Sequence, residues 1–126
     1  PYESYSDKHR ASWVDRFDTT VDDMFEDYVF PQENGSHYNC QYASVGNLYA
    51  KGKKPFSFQA SRYSEKELDE KAHNFELVPS DGIYVALDYK QSGIGSNSCG
   101  PRLAEKYQIR EEKIEWEISL RFDNKN

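Results

Sequence analysis

Lys113-Ile114-Glu115-Trp116-Glu117-Ile118-Ser119-Leu120-Arg121-Phe122 alternates without a break. Ile114, Trp116, Ile118, Leu120 and Phe122 fall on one side, and Glu115, Glu117, Ser119 and Arg121 on the other. Successive side chains of an extended backbone point to opposite faces, so this pattern predicts a strand with one buried and one wet face. The same period runs from Ile83 to Lys90, where Ile83, Val85, Leu87 and Tyr89 oppose Tyr84, Ala86, Asp88 and Lys90. From Pro55 to Ala60, Phe56 and Phe58 oppose Ser57 and Gln59. Tyr38, Cys40 and Tyr42 suggest a fourth strand, and Ser12 to Phe17 a fainter fifth.

One helix is signalled. Ser64-Glu65-Lys66-Glu67 is a capping box, and Leu68, Ala72 and Phe75 continue it at helical spacing. Turns are marked by Asn34-Gly35, Gly46-Asn47, Asp81-Gly82 and the run from Gly93 to Gly100. Several one-sided strands joined by short turns predict a mainly β protein, an antiparallel β-sandwich with one short helix.

A chain of 126 residues fits a single domain, 1–126. Aromatic residues make up 15%, enough to build a core from rings, while 30% charged residues imply a well-solvated surface. The net charge of -6 argues against nucleic acid, which needs clustered cations. Lys51, Lys53 and Lys54 are the densest basic group and read as a solvated turn. No apolar run approaches the roughly 20 residues of a membrane span. The opening, from Pro1 through Asp7-Lys8-His9-Arg10, has no signal-like character and reads as a cut inside a longer protein. Localisation is therefore not fixed by the sequence. Cys40 and Cys99 lack the density of a disulfide framework and read as free thiols, which favours the cytoplasm.

Few residues suggest catalysis. Asp22 and Asp23 are neighbours, and neighbours on a strand face opposite ways. His9, His37 and His73 have no metal-ligand spacing. Ser98-Cys99-Gly100 lacks the flanking pattern of a nucleophile elbow. The most unusual stretch is Gly93-Ile94-Gly95-Ser96-Asn97-Ser98-Cys99-Gly100-Pro101. Its glycines and proline specify an irregular path, and Gly95, Ser96, Asn97, Ser98 and Cys99 present small polar groups suited to a ligand. The alternative is a structural crossover. In Phe30-Pro31-Gln32-Glu33-Asn34-Gly35, the side chains of Gln32 and Glu33 either hold sugar hydroxyls or tie a tight turn.

Seven stretches, in order, resemble the C-terminal domain of glycoside hydrolase family 2 β-galactosidases, the small-chain domain. They are Pro1-Tyr2-Glu3-Ser4-Tyr5-Ser6-Asp7, Val21-Asp22-Asp23-Met24, Tyr28-Val29-Phe30-Pro31-Gln32-Glu33-Asn34-Gly35, Phe56-Ser57-Phe58, Ser61-Arg62-Tyr63-Ser64, the helix ending at His73, and Asp88 to Pro101. The resemblance implies a galactose-mutarotase-like β-supersandwich, of which this chain is the later half. It also implies a parent enzyme that removes terminal β-galactose with retention, acting on lactose-type substrates. The two catalytic glutamates, with the magnesium and sodium ligands, would lie in a separate barrel. No catalytic, metal or cofactor residue is then expected in this chain, which alone should be inactive. The loop from Gly95 to Cys99 would complete the sugar site. Cys99 aligns with a family tryptophan there but has no ring to stack on a pyranose. Gln32, Glu33, Asn34, Arg62 and His73 belong to the matching motifs, as structural ties or sugar contacts. The implied partners are the rest of the polypeptide and a galactoside, with self-association left open. The alternatives are a free-standing carbohydrate-binding module and a structural or oligomerisation domain.

Overall fold

The computed structural model describes residues 14–25, 35–92, 102 and 104–124. Four antiparallel strands form one sheet: β1 (His37–Val45), β2 (Leu48–Ser61), β3 (Tyr84–Asp88) and β4 (Ile118–Phe122). A short helix, α1 (Glu65–Glu70), and two single 3₁₀ turns, Asn74–Glu76 and Glu105–Tyr107, complete the elements. The expected mainly β, antiparallel architecture with one short helix is present.

β2 is the organising strand. β1 lies along one of its edges, joined through Gly46 and Asn47 so that Val45 pairs with Leu48. The positive φ of 58° at Gly46, the first central residue of this two-residue turn, has the twist that hairpins favour. The other edge of β2 is shared. β4 pairs with its first half, Leu48 opposite Phe122 and Gly52 opposite Ile118. β3 pairs with its second half, Ser57 opposite Asp88 and Ser61 opposite Tyr84.

Between these halves β2 swells. The pairing to β1 shifts between Tyr42↔Lys51 and Cys40↔Phe56. The cause lies in Gly52, where a Cβ would stand 2.2 Å from the Lys54 carbonyl oxygen and 2.8 Å from the Phe56 ring. Only glycine lets the chain fold back this closely. A second shift, between Cys40 and His37, contains Asn39 at φ 62°, a left-handed conformation that asparagine tolerates. It turns the Cys40 thiol toward the His37 carbonyl, 3.3 Å away.

The same swelling corrects the strand expected over Lys113 to Phe122. Ladder pairing covers only Ile118–Phe122, with one further bond from the Lys53 N–H to the Glu117 carbonyl at 3.3 Å. Beyond it the opposing chain is kinked at Gly52 and then offers Pro55, which has no N–H. Trp116 still turns inward. It packs with Cys40, Phe58, Leu87 and Ile118 against a core of Ala43, Ala50 and Phe56. The expected inner face is not covered along its whole length, because Leu120 is 52% and Phe122 64% exposed.

The helix is shorter than its pattern. Ser64 caps it, its hydroxyl accepting the Glu67 N–H at 3.0 Å, but Lys71 is already extended at φ -107° and ψ 134°. Its last turn carries no basic residue, so nothing there offsets the helix dipole. The Glu67 carboxylate accepts the N–H of Val78 at 2.9 Å, drawing the following chain back along the helix. Ala72 and Phe75 thus fall outside it. The expected fifth strand is also absent over residues 14–17, where Val14 is 99% exposed. Ser12 and Trp13 lie outside the described residues.

Candidate functional site

Of the residues singled out by sequence, Gly95, Ser96, Asn97, Ser98 and Cys99, with Gln32, Glu33 and Asn34, lie outside the described residues. The chain flanking both stretches is described, and it converges. Ser36, 1% exposed, immediately follows the first stretch and begins the approach to β1. Gln91 lies between β3 and the second stretch. Its side-chain amide donates to the Ser36 hydroxyl at 3.2 Å and to the Asp88 carboxylate at 3.4 Å. Gly35 has φ 66°, and a Cβ there would stand 3.0 Å from the Met24 carbonyl, so residue 35 lies against residue 24 while residue 36 is tied to residue 91.

The far side of the glycine-rich stretch returns to the same place. The Ile109 N–H donates to the Ser92 hydroxyl at 3.1 Å. Glu111 accepts from the Tyr89 hydroxyl at 3.1 Å and from the Lys90 ammonium, and its second oxygen accepts the Arg110 N–H at 3.0 Å. The hydrogen bond from Lys90, followed by backbone N–H groups, lowers the Glu111 carboxyl to about 2. Lys90 is raised in turn, chiefly by the same bond. Arg110 reaches the Glu105 carboxylate at 3.0 Å and the Gln108 side-chain oxygen at 3.3 Å, bracing the 3₁₀ turn.

Arg62 has a local role. Its Nε donates to the Asp22 carboxylate at 2.7 Å. Its carbonyl accepts the Ser80 N–H and lies 2.9 Å from the Ser80 hydroxyl. Asp22 and Asp23 serve different partners, since Asp23 accepts the Thr20 hydroxyl at 2.7 Å and returns its own N–H at 3.1 Å. His73 is exposed and precedes the first 3₁₀ turn. Its N–H donates to Glu76 at 3.0 Å, and its ring stacks on Phe75 with centroids 5.2 Å apart. These are the contacts that Arg62 and His73 make within the chain. Among the described residues, no three His, Cys, Asp or Glu side chains gather around a common point. No described helix is long and apolar enough to cross a membrane.

Sequence reasoning did not single out Gln91, Ser36 or Glu111. Single polar residues beside turns carry no periodic signal, and only the fold shows that they bracket the two stretches.

These features define a class first: an antiparallel β module whose described chain brings the flanks of two polar stretches together. A family described as β-galactosidase small chain matches residues 1–122. The chain belongs to the β-galactosidase small-chain family. The β-galactosidase of Actinobacillus pleuropneumoniae is 47% identical over 96% of this chain and 12% of its own length. That of Staphylococcus xylosus is 41% identical over 97% of the chain and 13% of its own length. The Kluyveromyces lactis β-galactosidase is 33% identical over 98% of the chain and 12% of its own length. The chain therefore spans about an eighth of these curated relatives.

Proposed function

We propose that this chain is a non-catalytic domain of a β-galactosidase, completing the sugar site of a separate catalytic barrel. The barrel supplies the two glutamates of a retaining mechanism and holds the magnesium and sodium ions. This domain supplies the loop from Gly95 to Cys99, and Gln32, Glu33 and Asn34 serve as structural ties or sugar contacts. The observation carrying this reading is the bond between Gln91 and Ser36, which brings the flanks of both stretches to one place. That convergence supports a reading in which both segments serve one ligand.

The partners are the remaining polypeptide and a terminal β-galactoside, with self-association compatible. Two cysteines outside any disulfide framework favour a reducing cytoplasm.

The test is steady-state kinetics of the full-length protein carrying Cys99→Ala or a shortened 93–100 segment. Both should change the Michaelis constant and the ratio of transfer to hydrolysis more than bond cleavage itself. Unchanged values for both would reject the loop's role. The isolated chain should not hydrolyse a chromogenic β-galactoside, and turnover surviving purification would reject its non-catalytic character.

A sugar-binding module is the second reading, favoured by Tyr42 and Tyr49 at 55% and 40% exposure. They occupy adjacent rows on the wet face of the β1–β2 hairpin. The Arg121 guanidinium already lies 4.6 Å from the Tyr49 ring centroid, which competes with a sugar for that ring. Titration of the isolated chain with galactose separates the two readings.

A further inference from the structure

The approach to β3 is short and held at both ends. Ser80 is fixed to the carbonyl of Arg62, its N–H and its hydroxyl each 2.9 Å away. Tyr84 pairs with Ser61 and begins β3. Asp81, Gly82 and Ile83 span these two points, and all three are exposed. The Ser80 hydroxyl also lies 2.8 Å from the Gly82 carbonyl, which folds the link over. Among the described residues, no hydrogen bond or ion pair engages the Asp81 carboxyl group or the Gly82 N–H. A Cβ on Gly82 would meet nothing within 4 Å, so the space beside its nitrogen is open. Asp81 is the one aspartate of the sequence that a glycine follows.

We propose that Asp81 is a modification site, isomerising spontaneously to isoaspartate through a succinimide ring. The Gly82 nitrogen attacks Cγ of the Asp81 side chain. An N–Cγ bond forms, and the nitrogen's proton leaves with the carboxyl hydroxyl as water. Water then opens the ring. Breaking the new N–Cγ bond restores aspartate. Breaking the bond from nitrogen to the main-chain carbonyl carbon leaves isoaspartate, with the α-carboxylate free. Water is the sole co-reactant, and the composition of the chain is unchanged. The attack needs a backbone that can bring nitrogen to Cγ, and glycine is the residue with that freedom. The product's main chain runs through the Asp81 Cβ and is longer by that atom. Ser80 is bound to Arg62 and Tyr84 is paired with Ser61, so the added length loosens the start of β3. The site is independent of the proposed sugar site.

The experiment incubates the full-length protein at physiological temperature and mildly acidic pH, where the neutral carboxylic acid reacts, in water labelled with heavy oxygen. Proteolysis and electron-transfer fragmentation then locate isoaspartate. Asp81 should take up label and convert, while Asp88, followed by Tyr89, should not. Gly82→Ala should slow the conversion severalfold, because the added methyl group hinders the nitrogen. Aged protein should exchange the amides at the start of β3 faster than fresh protein. The reference is the same protein in denaturant. Conversion in denaturant but not in the folded protein would show that the fold shields Asp81 and would overturn the proposal, as would conversion in neither. Isoaspartate at Asp81 with unchanged exchange in β3 would overturn the loosening.

Discussion

The side-chain amide of Gln91 donates to the hydroxyl of Ser36 across 3.2 Å, joining positions 55 residues apart in the sequence. Ser36 is almost fully buried and lies just before β1, while Gln91 lies just after β3. β1 and β3 flank opposite edges of β2, so the bond spans the central strand near Ser57 and Phe58, the partners of Asp88 and His37. It also gives the two polar segments a common origin.

The core depends on one ring. Trp116 packs against Ala43, Ala50 and Phe56, and its indole N–H finds no partner among the described residues. Trp116→Ala should cost about 3–5 kcal/mol, the usual loss for a large aromatic side chain. Trp116→Phe should cost much less, because it keeps most of the apolar contact and removes a donor whose burial is itself unfavourable. Chemical denaturation followed by far-ultraviolet circular dichroism measures both. Equal losses would show that the N–H has a partner.

Gly52 has no such latitude. A Cβ at this position would collide with the Lys54 carbonyl at 2.2 Å, and backbone cannot rotate away as a side-chain tip can. Gly52→Ala should destabilise by about 1–3 kcal/mol or more through forced backbone movement. The damage should appear as faster amide exchange at Lys53, whose N–H meets the Glu117 carbonyl beside the swelling. Unaltered exchange there would show that the swelling relaxes freely.

Much of this architecture is legible in the sequence, and its losses have physical causes. Alternation located the β3 and β4 residues because Leu87 of β3 and Ile118 of β4 turn one face toward the core cluster. It overran β4 because periodicity in Lys113–Glu117 says nothing about the kink at Gly52 and the missing donor at Pro55 on the opposing strand. The capping box found the start of α1, where Ser64 meets Glu67, but its end depends on the pull of Val78 on the Glu67 side chain. Arg62 was legible as a motif residue, whereas its partner Asp22 is 40 positions distant. Gln91 and Glu111 carry no pattern at all, because their significance comes from where the sheet puts them.

Cys40 is half-buried, and burial raises its thiol above the ordinary value. The neutral form is thereby favoured in the folded chain. Its contribution to stability is complete below the thiol's unfolded value and is lost as pH rises through the higher folded value. Cys40 should therefore react slowly with thiol reagents at neutral pH, and denaturation should release it. Two reactive thiols per chain are expected after unfolding, counting Cys99. Recovery of none would establish a disulfide.

Glu111 predicts the opposite limb. Its folded value of about 2 lies below the ordinary 4.5, so its contribution is present above that ordinary value and fades as pH falls toward 2. Glu111→Gln should flatten the acid limb of the stability curve within that window. Its effect should be small because the pair is solvent-exposed and screened by salt. An acid limb identical to that of the unaltered protein would show that Lys90 does not hold the carboxylate in solution.

The bond between Gln91 and Ser36 makes the last prediction, about coupling. Ser36 is buried, so the hydrogen bond it accepts from Gln91 should contribute about 0.5–1.5 kcal/mol. Ser36→Ala and Gln91→Ala should each destabilise the chain, but the double variant should lose less than the sum, with a coupling of about 0.5–1.5 kcal/mol. Gln91 also donates to Asp88, so its single variant should be the more costly of the two. A denaturant melt of all four proteins completes the cycle. If both segments meet one sugar as proposed, the same pair should also couple in the Michaelis constant of the full-length enzyme. Strict additivity in stability would mean that the contact is incidental. Coupling in stability without coupling in kinetics would leave the contact as described but separate the two segments functionally.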